Sequence, residues 1–246
     1  MIKIQNLRKV FDEKVAVEDL TLSIQAGEIF AFLGPNGAGK TTTIKIIAGL
    51  LRPSSGRVAI AGFDLAAHGL QARALMSYVP DEPYLYEKLT AREFLRMIAD
   101  LYGIPAPAAE TRIQQVAAEF ELGEFLDNLT ESYSHGMKQR TVIAAALLHE
   151  PRLLIVDELM VGLDPKSARK VKDLLRKLSR ENGLTVFLST HTLSVAEEVA
   201  DRVGILNQGR LVALGTLAEI RQQHAAKTGE EHQRLEDLFL ELTGGL

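Results

Sequence analysis

The chain contains no cysteine, so it can form neither a disulfide nor a thiolate metal site, which suits a cytoplasmic address without requiring one. It has no run of about eighteen consecutive apolar residues, so no segment reads as a membrane span. Any membrane role therefore calls for a partner chain. The opening residues, Met1-Ile2-Lys3-Ile4-Gln5, lack the succession of basic, apolar and small residues that marks a signal peptide. Positive charge is not in excess: 28 Lys and Arg against 32 Asp and Glu leave a net charge of −4, which argues against nucleic acid as a primary ligand. No internal repeat or low-complexity tract is present. What is there is an ordinary globular composition, 46% hydrophobic and 24% charged over 246 residues. That length accommodates one large domain, or a main domain with a small insert.

The most informative stretch is Gly34-Pro35-Asn36-Gly37-Ala38-Gly39-Lys40-Thr41-Thr42, which fits G-x-x-x-x-G-K-[ST]. The apolar run Ile29–Leu33 precedes it as a short buried strand, and Ile44, Ile47, Ala48 and Leu51 follow at helix spacing over Thr43–Leu51. Strand, glycine loop and helix together give the motif its mechanism. Glycines let the backbone fold around an anion with successive N–H groups pointing inward, and the helix N-terminus adds partial positive charge. Lys40 is then placed for the β- and γ-phosphates and the Thr41 hydroxyl for Mg²⁺. The expected ligand is a nucleoside triphosphate.

Around this loop the chain alternates strands and helices. Strands are expected at Met1–Leu7, at Leu20, Leu22 and Ile24, at Val58–Ile60 and at Ser77–Val79, the last stopped by Pro80. Phe11 falls in a polar turn, either as a partial core residue or as a platform for a purine ring. From Thr90 to about Gly123 the pattern turns helical, with Thr90 and Glu93 as a capping box and a second helix over Glu110–Leu122. Leu153–Val156 reads as a central parallel strand buried on both faces, ending in Asp157-Glu158. Ser167–Asn182 is a helix ended by Gly183; its outer face carries Arg169, Lys170, Lys172, Arg176, Lys177 and Arg180, a pattern more usual for a solvated face than for a binding one. Strand Thr185–Ser189, helix Leu193–Ala200 and the pair Val203–Leu206 and Leu211–Leu214 follow. A helix boxed by Thr216 and Glu219 comes next. Leu235, Leu238, Phe239 and Leu242 make a last amphipathic helix, docked on the body or offered to a partner.

A carboxylate pair at the tip of an apolar strand suits phosphate chemistry. Asp157 can hold Mg²⁺ through its water shell, and Glu158 can orient or deprotonate an attacking water.

With these in place, Ser134-His135-Gly136-Met137-Lys138-Gln139-Arg140, 23 residues before Asp157, resembles the signature motif of ABC ATPases. The resemblance extends through the phosphate loop, Asp157-Glu158, the turn Gly162-Leu163-Asp164, and His191 in Ser189-Thr190-His191. It implies an α/β fold: a P-loop NTPase with a RecA-like core, an antiparallel β-subdomain and an inserted α-helical subdomain. The ATPase domain would cover residues 1–215, with the insert at about 84–149 and a C-terminal helical extension at 216–246.

The resemblance also implies ATP and Mg²⁺ as ligands and a head-to-tail dimer, of two copies or of one copy and a related subunit. Phe11 would stack on adenine. Asn36, Gly37, Ala38, Gly39, Lys40, Thr41 and Thr42 would hold the phosphates. Ser134 and Gly136 would reach the γ-phosphate from across the dimer, and Asp164 would couple the two sites. Glu158, His191 and Lys40 would be catalytic, and Thr41, Asp81 and Asp157 would serve the metal.

Several positions depart from the family pattern. The signature reads Tyr133-Ser134-His135-Gly136-Met137 in place of Leu-Ser-Gly-Gly-Gln, Asp81 stands where Gln is expected, and Leu159-Met160 replaces Pro-Thr. The signature and the tail from Leu235 to Leu242 are similar to those of ATPase subunits of exporters with separately encoded permeases. Such a subunit would be cytoplasmic, held peripherally at the inner face of the cell membrane through its permease. The alternatives are a soluble ABC ATPase acting on nucleic acid or ribosomes, and an assembly or regulatory module.

Overall fold

The computed structural model describes residues 1–158, 163–228 and 235–244. Leu159, Met160 and Gly162, named above, lie outside the described residues, as does most of the polar stretch before the last helix.

Two sheets organise the chain. The first is antiparallel, in the order β2-β1-β4-β5, from β1 (Ile2–Phe11), β2 (Lys14–Ile24), β4 (Ser55–Ile60) and β5 (Phe63–Asp64). Alternation at Ile2, Ile4, Leu20, Leu22 and Ile24 buries one face of this sheet. β1 runs on to Phe11, so that residue ends a strand rather than sitting in the turn, which begins at Asp12 with φ 48°.

The second sheet has six strands in the order β10-β9-β3-β8-β7-β6. They are β3 (Ile29–Leu33), β6 (Met76–Val79), β7 (Leu153–Asp157), β8 (Thr185–Thr190), β9 (Arg202–Asn207) and β10 (Arg210–Gly215). All neighbours are parallel except β9 and β10. Every residue of β3, β7 and β8 is buried, as expected of strands covered on both faces. Phe30, Phe32 and Phe187 fill one side, with ring centroids 5.4–6.5 Å apart.

Helix α1 (Lys40–Ile47) follows β3, and the short α2 (Gly69–Ala74) precedes β6. α3 (Ala91–Leu101), α4 (Ala106–Glu119) and α5 (His135–Leu147) pack together in one apolar cluster. The Thr90–Glu93 capping box opens α3. α6 (Pro165–Asn182) ends at Gly183, φ 70°. α7 (Leu193–Val199), α8 (Leu217–Thr228) and α9 (Leu235–Thr243) cover Ala31, Leu33, Val203 and Ile205 from the other side. α9 is thus docked on the body, with Leu238 fully buried.

The parallel register aligns the C-terminal ends of adjacent strands: Leu33 lies opposite Thr190, Asp157 opposite Ser189, and Val79 opposite Val156. In open α/β sheets, the crevice beyond those ends is where ligands bind.

Candidate active site

The loop after β3 takes a shape that its glycines alone permit. A Cβ at Gly34 would lie 2.4 Å from the Leu206 carbonyl oxygen, and one at Gly39 would lie 2.3 Å from that of Ala16. Gly39 also has φ 105°, a region costly for any other residue. The loop is fastened from outside as well. Gly209 N–H donates to the Ala38 carbonyl at 2.9 Å, and Glu18 N–H donates to the Gly209 carbonyl at 2.8 Å. No side chain caps the N-terminus of α1, so its first N–H groups are open to an anion.

Lys40 is buried, and its Nζ donates to the carbonyls of Gly34 at 2.7 Å and Pro35 at 3.1 Å. Burial lowers its pKa, opposed by the nearby charges of Glu158 and Asp157. Asp157, at the tip of β7, is also buried. That burial raises its pKa, with Asp81 and Glu158 adding to the effect and the Ser189 and Thr41 hydroxyls opposing it. The same environment pushes the Tyr78 hydroxyl up to about 12, chiefly through burial and secondarily through Asp157 and Asp81.

Glu158 adopts φ 56°, in the left-handed region that a glutamate seldom occupies. Three contacts hold it there. Its N–H donates to the Ser189 carbonyl at 3.1 Å, His191 Nδ1 lies 2.8 Å from Oε1, and Thr190 Oγ1 lies 3.5 Å from Oε2. An ionised carboxylate only accepts, so Nδ1 carries the proton of the His191 bond. Backbone strain fixed by surrounding bonds in this way is common at reacting centres.

A single cleft of about 500 Å³ gathers Phe11, Asn36, Gly37, Gly39, Lys40, Thr41, Thr42, Asp81, Asp157, Glu158 and His191. Ala38 is buried beneath the loop. Phe11, 44% exposed, offers a ring to the cleft, with Lys9 Nζ 4.7 Å from its centroid. Lys14 and Ala16 line the cleft too; they bear no motif, and only the path of β2 beside the loop brings them in. No cluster of three His, Asp or Glu suited to a metal exists among the described residues. One hydroxyl and one carboxylate, from Thr41 and Asp157, are hard oxygen donors that suit Mg²⁺, which keeps several waters and takes substrate phosphates as further ligands.

Ser134 and Gly136 do not reach this cleft. They line a separate recess of about 380 Å³ with His135, Met137, Arg140, Leu163, Asp164 and Ser167. Two helix N-termini meet there. Ser134 caps α5 by accepting from Met137 N–H at 3.3 Å, and Asp164 caps α6 by accepting from Lys166 and Ser167 N–H at 3.0 Å each. Tyr133, in place of the family leucine, is buried and donates its hydroxyl to the Phe125 and Asn128 carbonyls, which moors the recess to the insert. Half of the basic face of α6 is engaged in surface ion pairs within the chain. Lys170 pairs with Glu121, Lys172 with Glu198, and Arg176 with Asp173.

A phosphate loop on the central strand and paired carboxylates at the tip of a strand two places along define a P-loop nucleoside triphosphatase. The chain belongs to the ABC transporter family, whose model matches residues 17–161. It is 37% identical over 220 residues to the linearmycin resistance ATP-binding protein LnrL of Bacillus subtilis, covering 89% of this chain and 70% of that one. A solved ATP-binding subunit of an ABC transporter superposes with TM-score 0.91 at 37% identity, covering 98% of this chain and 99% of that one. The dimeric cassette MJ0796 in a post-hydrolysis state with ADP and Pi superposes with TM-score 0.82 at 28% identity, over 88% of this chain and 99% of that one. The protein is thus an ATP-binding and ATP-hydrolysing ABC subunit. No helix among the described residues is long and apolar enough to cross a membrane.

Proposed function

We propose that this ATPase drives export: ATP closes a dimer, hydrolysis reopens it, and a separately encoded permease turns the movement into transport. The observation that carries the reading is the division of the site. The cleft holds the phosphate loop, Asp157, Glu158 and His191, while Ser134 and Gly136 face a different recess. A second copy, or a related subunit, placed head to tail would set one chain's recess over the other's cleft.

Within that sandwich Phe11 stacks on adenine, and Asn36 to Thr42 with Lys40 hold the phosphates. Ser134 and Gly136 present a helix N-terminus to the γ-phosphate. Glu158 orients water for in-line attack, and His191 holds Glu158 in place through Nδ1. Thr41, Asp157 and Asp81 would hold Mg²⁺, which when bound would neutralise charge on the phosphates.

The permease side is a groove of about 340 Å³ between the core and the helical insert, lined by Arg73, Tyr84, Ile98, Tyr102 and His149 among others. Tyr84 is 72% exposed, and Leu101, next to Tyr102, is 74% exposed. Such apolar exposure beside a groove suits a protein partner. We place the ATPase domain at 1–215, with the insert at about 84–149, and the helical extension at 216–246. The chain sits at the inner face of the cell membrane. The resistance function in the name of LnrL supports the export direction.

The test is complementation. Lys40→Ala and Ser134→Glu should each abolish phosphate release when purified alone. Mixing them should restore it, because a mixed dimer contains one site with both an intact Lys40 and an intact Ser134. A mixture as inactive as its parts would refute the shared site.

A further inference from the structure

Gln139 lies in the middle of α5 and is fully buried, yet neither its Oε1 nor its Nε2 has a hydrogen-bond partner among the described residues. Buried polar groups are paired in the great majority of cases, so a side-chain amide with both ends unmet is a specific anomaly. On its own helix, Val142 and Ile143, three and four residues on, are buried in the apolar cluster shared by the helices and the core. An amide is a poor choice for such a place unless it finds partners in another arrangement of the helix.

The position of Gln139 suggests which arrangement. The first two turns of α5, with His135, Gly136, Met137 and Arg140, line the recess of Ser134. Its C-terminal half, with Val142, Ala145 and Ala146, lines the groove between core and insert. One helix therefore touches both surfaces, and Gln139 lies on it between Met137 and Arg140 of the recess, three residues before Val142 of the groove. Ser77 adds a fixed point at the far end, its hydroxyl donating to the Ala146 carbonyl at 2.6 Å.

We infer that Gln139 is a positioning residue for hydrolysis: its amide is unpaired in the conformation seen here and becomes paired when α5 shifts to seat Ser134 on the nucleotide held by the second subunit. This rests on the shared-site reading above. The unmet amide raises the free energy of the resting state relative to the closed one, and so lowers the cost of closure. A ligand shifts such an equilibrium only through a difference in interactions between the two states, and the amide supplies one.

Gln139→Met, close in volume and apolar, removes the anomaly. The nucleotide-free protein should then melt about 2–4 °C higher than wild type. At the same time kcat for ATP should fall about five- to hundredfold with KM unchanged, the pattern of an interaction made only on the way to hydrolysis. In a Glu158→Gln background, the rise in melting temperature on adding ATP should be smaller once Gln139→Met is introduced than with Gln139 intact. Gln139→Leu, assayed alongside, should behave the same way. If both variants melt lower than wild type or fail to fold, the amide is satisfied in the resting protein, for instance by buried water, and the inference is overturned. Unchanged kcat overturns it equally. The complementation of Lys40→Ala by Ser134→Glu does not involve Gln139, so that result stands or falls on its own.

Discussion

Glu158 and Asp157 are neighbours in sequence with opposite environments. Asp157 is sealed at the strand tip, where burial raises its pKa. Glu158 turns out of the strand through a left-handed φ of 56° and meets His191 and Thr190. The turn is what places two adjacent carboxylates in different surroundings: one sealed at the strand tip, the other held by His191 and Thr190 at the cleft. Glu158→Gln keeps the length and shape of the side chain and hence the His191 contact, but loses the basicity. Steady-state phosphate release should fall by roughly 10²–10⁴-fold, while ATP-dependent dimerisation, followed by gel filtration, persists. Turnover close to wild type would remove Glu158 from the mechanism.

Elements show why some of this was readable beforehand. The Thr90–Glu93 box is a local device: Glu93 N–H donates to Thr90 Oγ1 at 3.2 Å, and Thr90 N–H donates to the Glu93 carboxylate at 2.8 Å. Thr90→Ala should lower the melting temperature by about 2–4 °C, with KM for ATP unchanged, since the cap lies outside the nucleotide cleft. Signals of that kind, caps, glycine stops and buried runs, are written in a few adjacent residues, and the strand and helix expectations built on them largely match the observed elements. Boundaries were less legible. α1 begins at Lys40, three residues before the expected Thr43, because helix formation starts inside the phosphate loop itself. α4 begins at Ala106 rather than Glu110, since Pro105 and Pro107 are tolerated at a helix start. The two-residue β5 and the six-residue α2 carried too little periodicity to register. In the cleft, the loop and the strand-tip carboxylates stood out as motifs. Lys14 and Ala16 did not, because only the path of β2 beside the loop brings them there.

At the scale of the whole molecule, the helical insert and the core meet at His149. Its ring stacks on Tyr102 with centroids 3.6 Å apart, and its Nε2 lies 3.4 Å from the Ser77 hydroxyl of β6. α3, the end of α5 and the central sheet are thereby tied through one imidazole at the floor of the proposed permease groove. Burial lowers the pKa of His149 from 6.5 to about 4; Arg112 contributes in the same direction, and a hydrogen bond donated by the ring to the Met76 backbone opposes it. The sign follows from where the proton binds. Above pH 6.5 the ring is neutral in both the folded and the unfolded chain, and its contribution to stability is constant. As pH falls below that value, the unfolded chain takes up a proton that the folded one refuses, so stability declines until about pH 4, where the folded ring also protonates. His149→Phe keeps an aromatic ring against Tyr102 but cannot titrate. Urea denaturation of the variant should therefore show a shallower loss of stability than wild type between pH 6.5 and 5, above the range where most carboxylates contribute. Equal slopes for the two proteins would mean that the His149 ring protonates as readily folded as unfolded, and that the joint between insert and core is open to water.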